Sequence, residues 1–412
     1  MIKNISFSVV LNAFSQIVLF AIFLFSAKIF GPEGRGAFSA IISLITLIGT
    51  VVGLSIGRVC AHEILSLKLT PESFFKKYFG TIGLIYVFTI VIGYLVFLFL
   101  ELFYSKLFGK VELKFILILF VSLPYFIWNS YSVYLFSALD KILLQNKIGF
   151  FMKVLIFVLL LLMYAFNILS FTTFIIIYAI VNTLNLFLEH IMFYKEVKYE
   201  LAVDFTYMSK IIFKCFQIHL DTIGYILYSS LTVVILNMNI SLEELGYYNF
   251  ALQLTSIIII IPTIIAQYLN GLILNSSPDI FWPNHKRIML YTMLICTVVM
   301  MISYFTIPIL IDIAHLKFKP SLFIFNILLI TILPNSFTIL MGPQWLSRGH
   351  FKTISSITLI CGVIGFIFLT MSVKTLGVMS GVYTILIIYF ISTIINVIFF
   401  LKINAITGDK EN

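Results

Sequence analysis

Twelve long apolar segments follow one another along this chain of 412 residues, and they limit its fold more than any other feature. A helix needs about 20 apolar residues to cross the hydrocarbon core of a bilayer. Because that core offers the backbone no hydrogen-bond partners, each segment is predicted to form a spanning helix. The segments are 5–27, 37–60, 78–103, 115–138, 150–169, 171–193, 214–236, 246–274, 288–313, 321–346, 353–373 and 377–401.

The composition agrees with this prediction. Hydrophobic residues make up 61% of the chain and charged residues only 10%, which is too little charge to cover a soluble domain. The sequence therefore predicts an all-α polytopic membrane protein. Its net charge of +9 indicates membrane orientation and anionic lipid headgroups rather than nucleic acid. All four cysteines lie in apolar segments and are interpreted as small hydrophobic residues.

Lysine and arginine set the orientation. Most of the 26 basic residues fall in the termini and the even-numbered loops, so both termini are predicted to be cytoplasmic. The longest loop carries three lysines and is predicted to lie on the inner leaflet. This loop divides the chain into an N-terminal six-helix lobe (1–194), an interfacial linker (195–213) and a C-terminal six-helix lobe (214–412).

The two halves also resemble each other at a constant offset of 210 residues. Six helices per half return the chain to the same side, so the halves are predicted to form a parallel repeat around a central cavity. Four prolines in apolar segments (124, 262, 308 and 334) either kink helices or are ordinary membrane prolines. The matched positions are Glu33 and Gly36 with Glu243 and Gly246, Lys76 and Lys77 with Lys286 and Arg287, and Leu123 and Pro124 with Leu333 and Pro334.

A polar stripe runs along one face of the eighth segment, and the second segment carries its counterpart. Amide side chains have no partners in lipid, so such a face meets either another helix or a water-accessible cavity. We predict a cavity between the lobes. The later stripe is Asn249, Gln253, Ser256, Ile260, Thr263, Gln267 and Asn270, and 210 residues earlier stand Ser39, Ser43, Thr46, Thr50, Gly53, Gly57 and Cys60.

Several functions are disfavoured because their motifs are missing. The chain contains no P-loop, no His-Glu-x-x-His and no Gly-x-Ser-x-Gly pattern. No loop is long enough for a soluble catalytic domain. We therefore expect neither enzymatic activity nor a bound cofactor or metal. A transporter driven by an ion gradient, the membrane potential or its substrate gradient remains.

Three short stretches resemble the polysaccharide and oligosaccharide flippase family of the multidrug/oligosaccharidyl-lipid/polysaccharide exporter superfamily. Residues 27–39 read AKIFGPEGRGAFS, residues 54–58 read LSIGR, and residues 242–249 read LEELGYYN. They are similar to the family's turn before helix two, its arginine near the end of that helix, and the acidic pair before helix eight. The sequence departs from the family at residues 216–220, FQIHL, where relatives often carry Gly and Pro.

The resemblance implies a substrate. Family members move an undecaprenyl-diphosphate-linked oligosaccharide from the inner to the outer leaflet of the bacterial plasma membrane, for surface polysaccharides such as O-antigen or capsule. Expected partners are this lipid-linked oligosaccharide, membrane lipids, and polysaccharide polymerase or assembly proteins. The alternative is a cation-coupled drug or metabolite antiporter of the same superfamily. Such antiporters commonly use a carboxylate deep in helix one, where this chain has Asn12, Ser15 and Gln16.

The resemblance and the stripes nominate candidate substrate contacts. Arg58 is placed to receive the diphosphate, since its planar guanidinium suits phosphate. Asp221, from the other half, is predicted to compete for Arg58 and to close a cytoplasmic gate. The substrate-binding candidates are Arg58, Lys28, Arg35, Asn249, Gln253, Ser256, Gln267, Asn270, Thr46 and Thr50.

Each charged candidate has a plainer interpretation. Arg58, Lys28 and Arg35 are also compatible with snorkelling to the interface. Asp221 would then be a helix-dipole partner near the membrane surface. The sequence predicts that Glu189 lies at the interface, near the end of helix six.

Overall fold

The computed structural model describes residues 2–67, 69–274 and 277–408, and within these ranges it contains helices but no strand. The helices are α1 (Ile2–Val52), α2 (Ile56–Leu67), α3 (Pro71–Phe103), α4 (Leu113–Phe120), α5 (Leu123–Ala138), α6 (Ile142–Ala165), α7 (Phe171–Val197), α8 (Phe205–Tyr228), α9 (Ser230–Asn239), α10 (Leu242–Leu274), α11 (Pro278–Ile313), α12 (Ser321–Leu329), α13 (Ile332–Ser347), α14 (Phe351–Leu376) and α15 (Val378–Gly408).

These helices make a multi-pass membrane protein. In the described ranges nine helices are long and apolar enough to cross a bilayer, and two bent pairs raise the number to eleven. The first, Leu11–Val52, has 42 residues. At 1.5 Å per residue it extends about 63 Å, twice the roughly 30 Å of hydrocarbon. Gly31 interrupts it with a φ of 66°, so it counts as two spans. The prediction of twelve spans in two six-helix lobes is confirmed.

The two lobes bend at equivalent places. The axes of α4 and α5 meet at 45°, and those of α12 and α13 meet at 48°. Pro124 and Pro334, which the 210-residue offset pairs, stand near the start of α5 and of α13 respectively. Proline removes a backbone donor and clashes with the preceding turn, which accounts for both bends. In contrast, Pro262 and Pro308 lie inside the continuous helices α10 and α11.

The closest crossing between the lobes is itself symmetric. A Cβ atom built on Gly36 would lie 1.8 Å from the carbonyl oxygen of Leu242, and one built on Gly246 would lie 1.9 Å from that of Pro32. Gly36 and Gly246 are 210 residues apart in the sequence, and so are Pro32 and Leu242. The predicted repeat axis therefore passes between α1 and α10, at what we call the Gly36 end of the molecule.

Gly246→Ala is expected to destabilise the protein because its methyl group cannot fit against the Pro32 carbonyl. The lobes must shift, and overpacking of this kind costs about 1–3 kcal/mol. Thermal unfolding in detergent measures the effect. Gly83→Ala is the matched control, because a Cβ atom there meets nothing within 4 Å. Equal melting temperatures for both variants would contradict the close crossing.

Besides the two bent pairs, two further predicted spans are not continuous helices. The second predicted segment, 37–60, breaks after α1 at Gly53–Ser55, so Gly57 and Cys60 of the predicted stripe lie on a separate helix, α2. The seventh, predicted as 214–236, begins earlier, at Phe205, and breaks at Ser229 between α8 and α9. Uniformly apolar sequence conceals such breaks, since neither contains a proline.

The connection between the lobes is shorter than the predicted linker and packs on the N-terminal lobe. It joins the end of α7 at Val197 to the start of α8 at Phe205. The Glu200 backbone N–H donates to the Lys76 carbonyl at 3.3 Å, and the Asp204 N–H donates to the Thr81 hydroxyl at 2.9 Å. The start of α8 is therefore held against α3.

Candidate functional site

The break between α1 and α2 is the starting point of the site. Leu54 and Ser55 both have positive φ angles, 54° and 53°. This left-handed conformation costs about 1–2 kcal/mol per residue outside glycine. The Tyr131 hydroxyl donates to the Gly53 carbonyl at 2.6 Å, which satisfies an acceptor that the break frees. Strain of this kind persists only where surrounding contacts hold it.

The other lobe supplies some of those contacts. The Ser55 hydroxyl lies 2.9 Å from Nδ1 of His219 and 3.0 Å from the Thr222 hydroxyl, both on α8. Nε2 of the same histidine lies 3.0 Å from the Val51 carbonyl. The strained turn therefore forms part of the interface between the lobes.

Close packing of α2 on α5 then positions Arg58. A Cβ atom on Gly57 would lie 2.7 Å from the Tyr131 carbonyl oxygen, so only glycine allows this approach. The Arg58 Nε donates to the Tyr134 hydroxyl at 2.7 Å. Its Nη1 lies 2.9 Å from Oδ2 of Asp221 on α8. The two residues that the sequence analysis nominated for a gate form an ion pair between the lobes.

His219 and Asp221 stand two residues apart, and the sequence placed them on different faces of one helix. Both nevertheless bond to the N-terminal lobe, because the long Arg58 side chain reaches Asp221. The side chains of Arg58 and Asp221 are 38% and 27% exposed. Partly solvated ion pairs contribute only about 0–1 kcal/mol. This contact is therefore one that a competing anion is able to replace.

A second ion pair lies further along the same interface. Glu63 of α2 is buried and contacts Lys214 of α8, with Lys210 at 4.0 Å. Glu63 lies five residues beyond Arg58 and was not among the residues predicted from the sequence. The α2–α8 interface, which we call the Arg58 end, therefore holds ion pairs at both Arg58 and Glu63. Val52 lies 16 residues from Gly36, about 24 Å along α1, so the two ends are well separated.

A cavity of about 240 Å³ opens beside Arg58. It contains one cation together with hydroxyl and amide groups, a combination that suits an anion with several oxygen atoms. Of the sequence candidates it includes Arg58 and Thr50. The lining residues are Thr50, Ser55, Arg58, Asn129, Ser130, Val133, Tyr134 and Thr222.

A second cavity, of about 310 Å³, lies inside the N-terminal lobe. It contradicts the prediction that Glu189 is interfacial, because Glu189 lines this cavity and is only 1% exposed. Asn182, Asn185 and Glu189 recur at three- and four-residue spacing and so share the inward face of α7. That spacing is the sequence signal for this cavity, and it was not among the predicted site features.

The polar stripe on α10 is only partly covered. Ser256, Thr263 and Gln267 are exposed, while Asn249, Gln253 and Asn270 are half-buried. Several of these side chains bond to their own helix, as where Asn249 donates to the Leu245 carbonyl. On α1 the counterparts Thr46 and Thr50 are also half-buried.

Chemical labelling of single cysteines distinguishes whether the polar face of α10 lines a water-filled cavity or lies in lipid. All four native cysteines are buried, so background labelling is low. We expect Ser256→Cys to react with a hydrophilic thiol reagent, and Leu254→Cys, at a site 3% exposed, to react at least tenfold more slowly. Leu95→Cys, at a lipid-facing site 59% exposed, is the control and stays unreactive. If positions 256 and 95 react alike, the stripe does not line a watery cavity.

The remaining two cationic candidates lie elsewhere. Arg35 is 8% exposed, donates to the Ser26 hydroxyl at 3.1 Å, and stacks 4.4 Å from the centre of the Phe23 ring. It does not line the cavity beside Arg58. Lys28 is exposed. The structure therefore separates these two residues from Arg58, and a buried Arg35 does not snorkel.

The fold matches solved transporters although the sequence is distant. No protein-family model and no curated protein sequence matches the chain. One similar structure is the lipid II flippase MurJ in an inward closed conformation, with 16% identity and a TM-score of 0.70 over 97% of this chain and 87% of that chain. Another is an inward-facing multidrug resistance MATE family transporter of the MOP superfamily, with 12% identity and a TM-score of 0.65 over 97% and 96%. An outward-facing MATE structure has 14% identity and a TM-score of 0.59 over 98% and 96%. The chain has the two-lobed fold of these transporters.

Proposed function

We propose that this protein is a flippase of the MOP superfamily. In this proposal it moves a lipid-linked oligosaccharide, carried on a polyprenyl diphosphate, from the inner to the outer leaflet of a bacterial plasma membrane. The Arg58 end and both termini face the cytoplasm. The product would serve surface polysaccharide synthesis.

The observation that carries the proposal is the Arg58–Asp221 ion pair between the lobes, at the edge of a polar cavity that the N-terminal lobe lines together with Thr222 of the other lobe. A diphosphate carries more negative charge than one carboxylate and offers more oxygen atoms to a guanidinium. It therefore competes with Asp221 for Arg58. Loss of the ion pair, and of the Ser55 contacts beside it, weakens the contact between α2 and α8, which then depends on the Glu63–Lys214 pair.

The proposed cycle follows from that competition. Diphosphate on Arg58 keeps the cytoplasmic gate open while the headgroup enters the cavity and the polyprenyl tail stays in lipid. When the substrate leaves on the other side, Asp221 regains Arg58 and the gate closes. The crossing of the substrate carries about two negative charges outward, and an inside-negative potential favours this by about 2.3 kcal/mol per charge per 100 mV. The cycle needs no nucleotide-binding domain.

Purified protein in liposomes tests the function. A fluorescent polyprenyl-diphosphate disaccharide is placed in both leaflets, and a membrane-impermeant quencher is added outside. With active protein we expect nearly all the fluorescence to be lost, because inner-leaflet lipid reaches the outer leaflet. Protein-free liposomes, and liposomes with Arg58→Ala, should lose only about half.

The antiporter alternative predicts a different result in the same liposomes. It gives uptake or efflux of a cationic dye in response to a proton or sodium gradient, with no movement of the lipid. That result, obtained with well-folded protein, would overturn the flippase proposal.

A further inference from the structure

The cavity inside the N-terminal lobe contains charged and polar groups that the ion-pair gate does not use. It is lined by α1, α5, α6 and α7, and both Lys153 and Glu189 reach it. None of the ion pairs among the described residues includes Lys153 or Glu189. Ionisable side chains within membrane-spanning helices are costly and commonly mark a functional site.

Two buried oxygen atoms in this cavity lack partners. Oε2 of Glu189, at 1% exposure, and Oδ1 of Asn185, at 4%, accept no hydrogen bond from the residues that the structure describes. Ser132, Trp128 and Gln145 surround the same carboxyl group as potential donors, and none of them lies in hydrogen-bonding geometry with Oε2. The Nδ2 of Asn185 does have a partner, the Tyr125 hydroxyl at 3.3 Å. Buried acceptors without donors are rare, and a ligand that brings donors would satisfy them.

The rest of the lining is amide-rich and carries opposite charges. A metal cation would prefer oxygen ligands without an ammonium group beside them. A neutral sugar fits better, since its hydroxyl and acetamido groups both donate to carboxylates and accept from amides and ammonium groups. The polar side chains of the lining are Asn12, Ser15, Tyr125, Asn129, Gln145, Asn146, Lys153, Tyr178, Asn182, Asn185 and Glu189.

The cavity also adjoins the proposed diphosphate site. Asn129 of α5 lines both cavities. Tyr125 and Phe126, which precede it in the sequence, line the intra-lobe cavity, and Ser130 and Tyr134, which follow it, line the cavity beside Arg58. From Tyr134 to Tyr125 is nine residues, about 13 Å along α5. Asn129 is therefore the residue past which a sugar attached to a diphosphate at Arg58 would enter the lobe. At about 310 Å³ the cavity reaches the lower end of ligand pockets, roughly 300–1,000 Å³.

We infer that this intra-lobe cavity is a subsite for the first, uncharged sugar of the headgroup, with Glu189, Asn185 and Asn182 as its recognition residues. The inference rests on the proposed function and deepens it, because it assigns sugar recognition to one lobe alone. Arg58 binds the diphosphate, and residues of α7 bind the sugar.

Binding of short-chain probes to the full-length protein separates the two roles. The probes are farnesyl diphosphate, and farnesyl diphosphates that carry glucose, galactose or N-acetylglucosamine. For the wild type we expect at least one sugar to tighten binding about tenfold, the effect of one hydrogen bond to a charged group. Asn182→Leu, which keeps the branched shape and the number of side-chain heavy atoms, should remove this gain, and Glu189→Gln should reduce it severalfold. Farnesyl diphosphate should bind both variants as it binds the wild type.

Ile180→Ala is the matched control, on the 53% exposed lipid side of α7, and should keep the sugar gain. If farnesyl diphosphate binds but no sugar adds affinity, or if the gain survives both cavity variants, the subsite is wrong and the flippase proposal stands. If none of the probes binds folded wild-type protein, the flippase proposal fails and the subsite with it. If Glu189→Gln changes only a sodium or proton dependence, the cavity holds a coupling cation instead, and the inference is overturned.

Discussion

Replacing Arg58 with alanine is expected to reduce transport of a diphosphate-linked lipid at least about 100-fold. Arg58 supplies the cation in the cavity beside the gate, and its planar fork is able to hold two phosphate oxygens at once. Two hydrogen bonds to charged groups are together worth about 3 kcal/mol or more, which corresponds to this factor. The same change leaves Asp221 without its partner. The liposome quenching assay measures the loss directly.

Two further variants make that result specific. Arg58→Lys keeps the positive charge but loses the planar guanidinium that binds two oxygen atoms at once, so we expect intermediate transport. Lys77→Ala removes an exposed cation from the start of α3 and should leave transport unchanged. Full transport by Arg58→Ala at the wild-type protein level would mean that Arg58 only snorkels to the interface.

A disulfide across the gate is expected to stop transport reversibly. The Ser55 and Thr222 hydroxyl oxygens are 3.0 Å apart, so cysteines at these positions come within bonding range after small rotations. In a background without native cysteines, oxidation of Ser55→Cys/Thr222→Cys should lower transport more than tenfold. The disulfide holds the turn before α2 against α8 and so blocks gate opening. A reductant breaks the disulfide and should restore transport.

Each single cysteine variant is the control for its own substitution and should respond to neither oxidant nor reductant. Mass spectrometry shows whether the oxidised double variant is cross-linked. If the cross-linked protein still transports at full rate, the gate lies elsewhere.

The fold was largely predictable from the lengths of the apolar segments and from the 210-residue offset between the two halves of the sequence. Spanning length is imposed by bilayer thickness, so it is read directly from the sequence. The offset correctly paired Gly36 with Gly246, which meet across the repeat axis, and Pro124 with Pro334, which mark equivalent bends. The breaks at Ser55 and Ser229 were not predicted. They depend on tertiary contacts rather than on local propensity.

The candidate site was predictable only in part. The Arg58–Asp221 pair was nominated as a gate, because both are charges near the same end of helices in opposite halves. The Glu63–Lys214 pair and the cavity around Glu189 were missed. An apolar helix that is buried on one side and lipid-facing on the other shows almost no hydrophobic periodicity, so its inward face is hard to identify from sequence.

The distance across the Arg58 end is the measurement that tests the gate most directly. Spin labels on Glu72→Cys in α3 and Ile280→Cys in α11, both exposed positions, report the separation of the lobes by pulsed electron paramagnetic resonance. We expect a saturating polyprenyl-diphosphate sugar to lengthen this distance in the wild type and to leave it unchanged in Arg58→Ala. No lengthening in the wild type, or equal lengthening in both proteins, would contradict a gate that opens when a diphosphate displaces Asp221 from Arg58.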